Sequence, residues 1–270
     1  MKMAAKFNQI LIVDSLPEGQ LNTAARLFAD AQDWARVIGD VPYIASVRVP
    51  SSGAFLDLLA QLAQQASREP YVPLLHIECH GGEDGLEFAD GSWLTWDDMK
   101  PAFVNLNVAT RLNLITVVAA CHGGAIANFV RAEHRAPFWA FLAPKRQLSA
   151  GDLETALSAF YQALLMTRSS ERAMSALRAT QAGDEFWQLS AQTIYRLIVE
   201  GYAEHHLTDE AVGQQAERLR AHAAEHGAVW TQAQIEAMIR DPGIFEGFRR
   251  EFFMIDLYPE HEERFPPVAL

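Results

Sequence analysis

The stretches VPLLHIECHGG (Val72 to Gly82) and LNLITVVAACHGG (Leu112 to Gly124) decide the fold. Each is a near-continuous apolar run, the pattern of a strand buried on both faces of a parallel sheet. Each ends at Cys-His-Gly-Gly, and paired glycines punctuate regular structure. Working outward, NQILIVDS (Asn8 to Ser15), Tyr43 to Val49 and PFWAFLA (Pro137 to Ala143) read as three further strands. Between them Gln20 to Val37 sets Leu21, Ala24, Ala25, Leu27, Phe28, Ala31 and Trp34 at helical spacing. Pro50, Ser51 and Ser52 open a second helix with a stripe through Phe55, Leu58, Leu59, Leu62 and Ala63. Strand–helix–strand alternation with crossovers of this length predicts an α/β fold with a mostly parallel central sheet covered on both faces.

An insertion follows the third strand. Gly85 to Ala89 and Ser92 to Thr95, joined by Asp90-Gly91, predict a hairpin, and Trp96 to Phe103 a short helix. From Ser149 the texture turns helical: a helix to Met166, another over Ser170 to Gln181, a last strand near Phe186 to Leu189, then a helix from Thr193 to about His205. Helical segments continue to about Phe253, broken at Pro242-Gly243. The expected division is an α/β domain over residues 1–190 and a helical C-terminal extension packed on it over 191–270.

Composition excludes several functions. Half of the 270 residues are apolar and about a fifth charged, and 22 basic against 34 acidic residues give a net charge of −12. Such a balance repels phosphate backbones. The only adjacent basic pairs are Lys145-Arg146 and Arg249-Arg250, the latter followed at once by Glu251, so no nucleic-acid partner is expected. The opening MKMAAKFNQI lacks the apolar core of an export signal. No run approaches the ~18 apolar residues that span a bilayer. A cytoplasmic protein, with Cys79 and Cys121 as free thiols, is the expectation.

The chemistry should sit at the carboxyl ends of the strands, where loops converge in open α/β sheets. Three ends carry reactive types: Asp14 after the first strand, Cys79-His80 after the third and Cys121-His122 after the fourth. If the third and fourth strands are neighbours, about 5 Å apart, His80 and Cys121 come within reach of each other. A thiol with an ordinary pKa near 8.5 is mostly protonated at neutral pH, and an imidazole beside it can take the proton. The amides of Gly81 and Cys121 are candidate donors to an oxyanion.

The runs HIECHGG (His76 to Gly82) and VVAACHGG (Val117 to Gly124) resemble the two hallmark blocks of the caspase-like (clan CD) cysteine peptidases, including the bacterial CHAT type. The resemblance implies a caspase-like three-layer sandwich, His80 as general base, Gly81 as oxyanion glycine and Cys121 as nucleophile. GLEFADGSWLTWDDM (Gly85 to Met99) resembles the segment after the histidine in CHAT members, and FWAFLAP their fifth strand. The similarity covers roughly residues 8–180 and leaves the helical third unexplained. Ala119-Ala120 stand where caspases carry Gln-Ala, so caspase specificity does not carry over. Asp14 lies where family members place an S1-pocket residue, which would favour a basic P1 side chain; the alternative is a helix cap or turn former.

The expected activity is thus a regulated cysteine endopeptidase that cleaves a protein partner in a bacterial defence or cell-death pathway. It needs no metal or organic cofactor, and a protein activator would dock on the helical part. Three alternatives stand beside it. Cys121 could be a small buried residue; Cys79, His80, Cys121 and His122 could hold zinc, though adjacent residues diverge to opposite faces; or the scaffold could be catalytically idle and bind partners. His76 reads as a satisfied core histidine, Cys79 as packing and His122 as a solvated loop residue. Glu78 either orients or charges the cleft or is a plain sheet position.

Overall fold

The structure, a computed structural model, describes residues 7–267. The amino-terminal residues 1–6, on which the export-signal reading partly rests, and the final residues 268–270 lie outside the described range. Six strands form the central sheet: β1 (Gln9–Asp14), β2 (Tyr43–Arg48), β3 (Pro73–Glu78), β7 (Ile115–Ala119), β8 (Ala140–Pro144) and β9 (Phe186–Ser190). Their order is β2-β1-β3-β7-β8-β9, parallel except for the β8–β9 pair. The sheet is therefore mostly parallel, as expected, and the weak last strand supplies its antiparallel edge.

Between these strands run α1 (Thr23–Ile38), α2 (Ser52–Arg68), α3 (Trp96–Ala109), α4 (Ala150–Thr167) and α5 (Ser170–Arg178). The insertion is a three-stranded antiparallel sheet of β4 (His80–Gly82), β5 (Gly85–Glu87) and β6 (Trp93–Thr95). So the residues after β3 do not trail off as a loop: His80 opens a strand paired to Glu87.

Alternation along the strands assigns the two faces. Ile10, Ile12, Leu74, Val117, Ala119 and Leu142 pack into one core with Ala24, Leu27, Leu157, Tyr161 and Leu177 of α1, α4 and α5. On the opposite face α2 and α3 contact each other. A chain of rings runs there from Phe88 through Phe55, Phe103, Phe129 and Phe138 to Phe141, with successive centroids 5.2–6.4 Å apart. Even-numbered residues of β3 thus face α1 and α4, odd-numbered ones face α2 and α3.

Two predicted strand starts are corrected. β7 begins at Ile115 rather than Leu112, because Arg111 and Leu112 adopt left-handed backbone (φ 54° and 55°). Leu112 and Leu114 are apolar for burial, not for pairing. Likewise β8 begins at Ala140, not Pro137. The helix expected over Trp96 to Phe103 continues through Pro101 to Ala109, because Phe103, Leu106 and Asn107 are buried.

Chain contacts divide the molecule into two compact units, residues 1–130 with 137–191, and residues 131–136 with 192–270. The second contains most of α6 (Ala191–His206), then α7 (Asp209–Glu225), α8 (Gln232–Ile239), α9 (Pro242–Phe252) and α10 (His261–Arg264). Its core includes stacked Phe253 and Phe265 (4.3 Å) and Tyr195 against Phe252 and Phe253. Arg249, 2% exposed, forks onto Glu246 (2.7 and 2.8 Å) and bonds to Glu262 and the Phe265 carbonyl. No described helix is long and apolar enough to cross a membrane.

Candidate functional site

Strand order reverses between β1 and β3, the place where open α/β sheets bind ligands beyond the strand ends. β3 and β7 are direct neighbours, and their register pairs Glu78 with Ala119. Two residues further along each chain stand His80 and Cys121. Both lie past the ends of their strands, His80 already in β4 of the smaller sheet, at positions whose parity matches that of the residues facing α1 and α4.

Side-chain contacts agree with that assignment. His80 Nε2 lies 2.8 Å from Gln20 Oε1, in the loop that enters α1. The Cys121 thiol, partly buried, points at the Leu148 carbonyl (3.9 Å), in the loop that enters α4. An amide oxygen only accepts, so Gln20 draws the proton onto Nε2 and leaves Nδ1 as the basic nitrogen. No hydrogen bond joins His80 to Cys121 among the described residues.

Gly81 is the seam between the two strand ends. A Cβ placed there would lie 2.6 Å from the Cys121 carbonyl oxygen and 3.0 Å from Ala120 Cβ. Only a residue without a side chain lets the two backbones approach this closely. Beyond Cys121 the chain turns: Gly123 N–H donates to Ala120 O (3.0 Å), and His122 is left-handed at φ 56°. Half-exposed indoles cover the second glycine of each pair. A Cβ on Gly82 would meet Trp93 at 3.2 Å, and one on Gly124 would meet Trp187 at 2.9 Å.

Beneath this surface runs a buried polar chain. Thr23 bonds to Glu78 Oε1, Glu78 Oε2 lies 2.9 Å from His76 Nε2, and His76 Nδ1 lies 3.0 Å from Tyr161 OH. Every group is satisfied if His76 is neutral, donating to Glu78 through Nε2 and accepting from Tyr161 at Nδ1. Burial, with Glu78 second, pushes the Tyr161 hydroxyl well above its ordinary pKa, so it stays a donor. His76 is thus a bonded core residue, and Glu78, expected either to orient or charge the cleft or to be a plain sheet position, is instead a buried link that ties Thr23 of α1 to His76 of the sheet.

The remaining candidates fall as follows. Cys79 is buried, and burial first and then Glu78 and Glu87 push its thiol pKa far up; such a thiol stays protonated and inert. His122 is half-buried with Nδ1 4.0 Å from Glu83. No three of Cys79, His80, Cys121 and His122 bring ligand atoms within the 4.8 Å of a metal-type cluster among the described residues. Asp14 is buried and fully engaged: Oδ1 accepts from Leu16 N–H (3.0 Å) and Arg48 (2.7 Å), Oδ2 from Asn22 (2.8 Å). Its charge is balanced by Arg48, and its geometry is that of a turn former.

Sequence reasoning missed Gln20, Thr23, Tyr161 and Leu148. The only advance signal was that Gln20 and Thr23 belong to the loop and helix start following a strand end. No family model and no curated protein matches this chain.

Proposed function

We propose that the chain is a caspase-like cysteine endopeptidase with Cys121 as nucleophile and His80 as general base. One observation carries the reading: neighbouring parallel strands present a partly buried thiol and an imidazole on the same side of the sheet, across a seam that only glycine permits. Gln20 adds a third group that orients the base, the arrangement an activated nucleophile requires.

The steps follow from those groups. His80 takes the Cys121 proton as sulfur attacks the scissile carbonyl, forming a C–S bond and an oxyanion opposite the Gly81 and Cys121 amides. Collapse breaks the C–N bond, and the departing amine leaves with the proton from His80. Water, deprotonated by the same imidazole, then hydrolyses the thioester and restores the thiol. Trp93 and Trp187 offer apolar walls for an extended peptide. An engaged Asp14 argues against a P1 pocket built on it. A protein substrate and a place in bacterial defence or cell death follow from the resemblance alone; the helical unit, which the resemblance does not cover, is the surface on which an activator would dock.

A second reading, a catalytically idle scaffold, is favoured by the Cys121 thiol meeting Leu148 rather than His80. The two separate in one experiment with a thiol-reactive peptidyl probe. Wild type should label once, at Cys121, and both Cys121→Ala and His80→Ala should abolish or slow labelling by ~10²-fold or more. Labelling no faster than that of free cysteine, unaltered by His80→Ala, sinks the peptidase.

A further inference from the structure

The helical unit carries chemistry that the peptidase reading does not use. Helix α7 and its C-terminal cap end in His222-Ala-Ala-Glu225-His226, and spacings of three and four place the three side chains on one helical face. Their ligand atoms lie within 4.8 Å of one another. The imidazole centroids are 4.5 Å apart, and His222 Nδ1 is 3.9 Å from Glu225 Oε2.

Two independent features favour a cation here. His226 Nδ1 lies 2.9 Å from the His222 carbonyl. A carbonyl only accepts, so Nδ1 carries the proton and Nε2 keeps its lone pair, the tautomer fixed by a backbone partner that metal-bound histidines show. The site also lies on the last turn of α7, at the negative end of the helix dipole. In addition, His222 forms part of the wall of an open, apolar groove of about 470 Å³ with Leu219, Trp230, Ile235 and Met238.

We propose that His222, Glu225 and His226 bind one divalent transition-metal ion of the zinc type. Two imidazoles and a carboxylate suit zinc, nickel or copper, whereas calcium and magnesium prefer all-oxygen shells. Bonds of about 2.0–2.2 Å require the ligand atoms to close by roughly 1 Å, which exposed side chains achieve by small rotamer changes. Three protein ligands leave one position of a tetrahedral ion open beside the groove.

The test is a calorimetric titration of the untagged, metal-free full-length chain with ZnCl₂, in a Cys121→Ala background so that the site thiol contributes nothing. One ion per chain is expected. His222→Ala and His226→Ala should each weaken binding at least about tenfold, with unchanged far-UV ellipticity. A Co²⁺ complex should show ligand-field bands without thiolate charge transfer. No saturable binding up to about 100 μM Zn²⁺ overturns the site. So does binding that both histidine variants leave intact.

Discussion

The Gly81→Ala substitution probes the seam on which the site depends. Its added methyl would stand 2.6 Å from the Cys121 carbonyl oxygen, about 0.8 Å inside the 3.4 Å at which ordinary contact begins. Ala120 Cβ at 3.0 Å and Leu86 Cδ2 at 3.3 Å close the other directions. The obstacle is backbone, so relief requires the His80 and Cys121 segments to separate. Overpacking of this kind costs about 1–3 kcal/mol, which lowers Tm by about 2–4 °C per kcal/mol in a domain of this size. If the proposed peptidase reading holds, a displacement approaching 1 Å between the Cys121 thiol and the His80 imidazole should also slow thiol alkylation by ~10²-fold. Gly82→Ala is the control, since its methyl meets only the half-exposed Trp93 ring at 3.2 Å, which can swing aside. Guanidinium unfolding and probe-labelling rates measured on both variants give the answer. If Gly81→Ala matches wild type in stability and rate, the two strand ends do not meet as described and the argument for a joined site fails.

Three further outcomes are expected. Tyr161→Phe strands the buried His76 Nδ1 and should cost about 1–3 kcal/mol by denaturant unfolding; a loss under about 0.5 kcal/mol would mean that water or a flipped ring replaces the hydroxyl. Thr116 is fully buried, and its hydroxyl has no hydrogen-bond partner among the described residues, so the near-isosteric Thr116→Val should stabilise the fold by about 1 kcal/mol, and a destabilised variant would reveal an unseen partner. Arg249 and Arg135 hold the Glu246 and Asp256 carboxyls below their ordinary pKa, chiefly through hydrogen bonds. Depressed acids stabilise the folded state above the unfolded pKa near 4 and lose that contribution as pH falls through the folded values. Both carboxylates are partly exposed, so each pair is worth at most about 1 kcal/mol after screening, and circular dichroism from pH 6 to 3 should show the helical signal of Arg249→Ala declining with a shallower pH dependence than wild type.

Which parts of this were readable in advance follows from what local pattern encodes. The runs at Ile10 to Val13, Leu74 to Ile77 and Val117 to Ala119 are apolar because both their faces are covered, so the parallel sheet showed in the sequence. Leu112 and Leu114 carried the same signal for a different reason: they are buried while the backbone at Arg111 and Leu112 turns left-handed, and hydropathy does not separate the two cases. His80 and Cys121 stood out as reactive types at strand ends. Their relation required the β3–β7 pairing, which short crossovers favoured. Gln20 is 60 residues from His80 and Tyr161 is 85 from His76; no spacing rule reaches that far. Gly81 announced itself as a breaker of regular structure, yet its role is steric and depends on a carbonyl 40 residues away.

The short segment 131–136 belongs with the helical unit although the chain on either side of it belongs with the sheet. Within that unit Arg135 grips Asp256 through two bonds of 2.7 and 2.8 Å, and Ala136 N–H donates to the Phe252 carbonyl (3.1 Å). Cutting the gene after residue 191 would therefore not yield a clean sheet fragment. It would orphan a loop lying between β7 and β8, baring a guanidinium and an amide that had lost these acceptors. Deletion of the helical third would then mix the loss of that unit with a disturbed 131–136 loop, and point changes on its surface are the cleaner dissection.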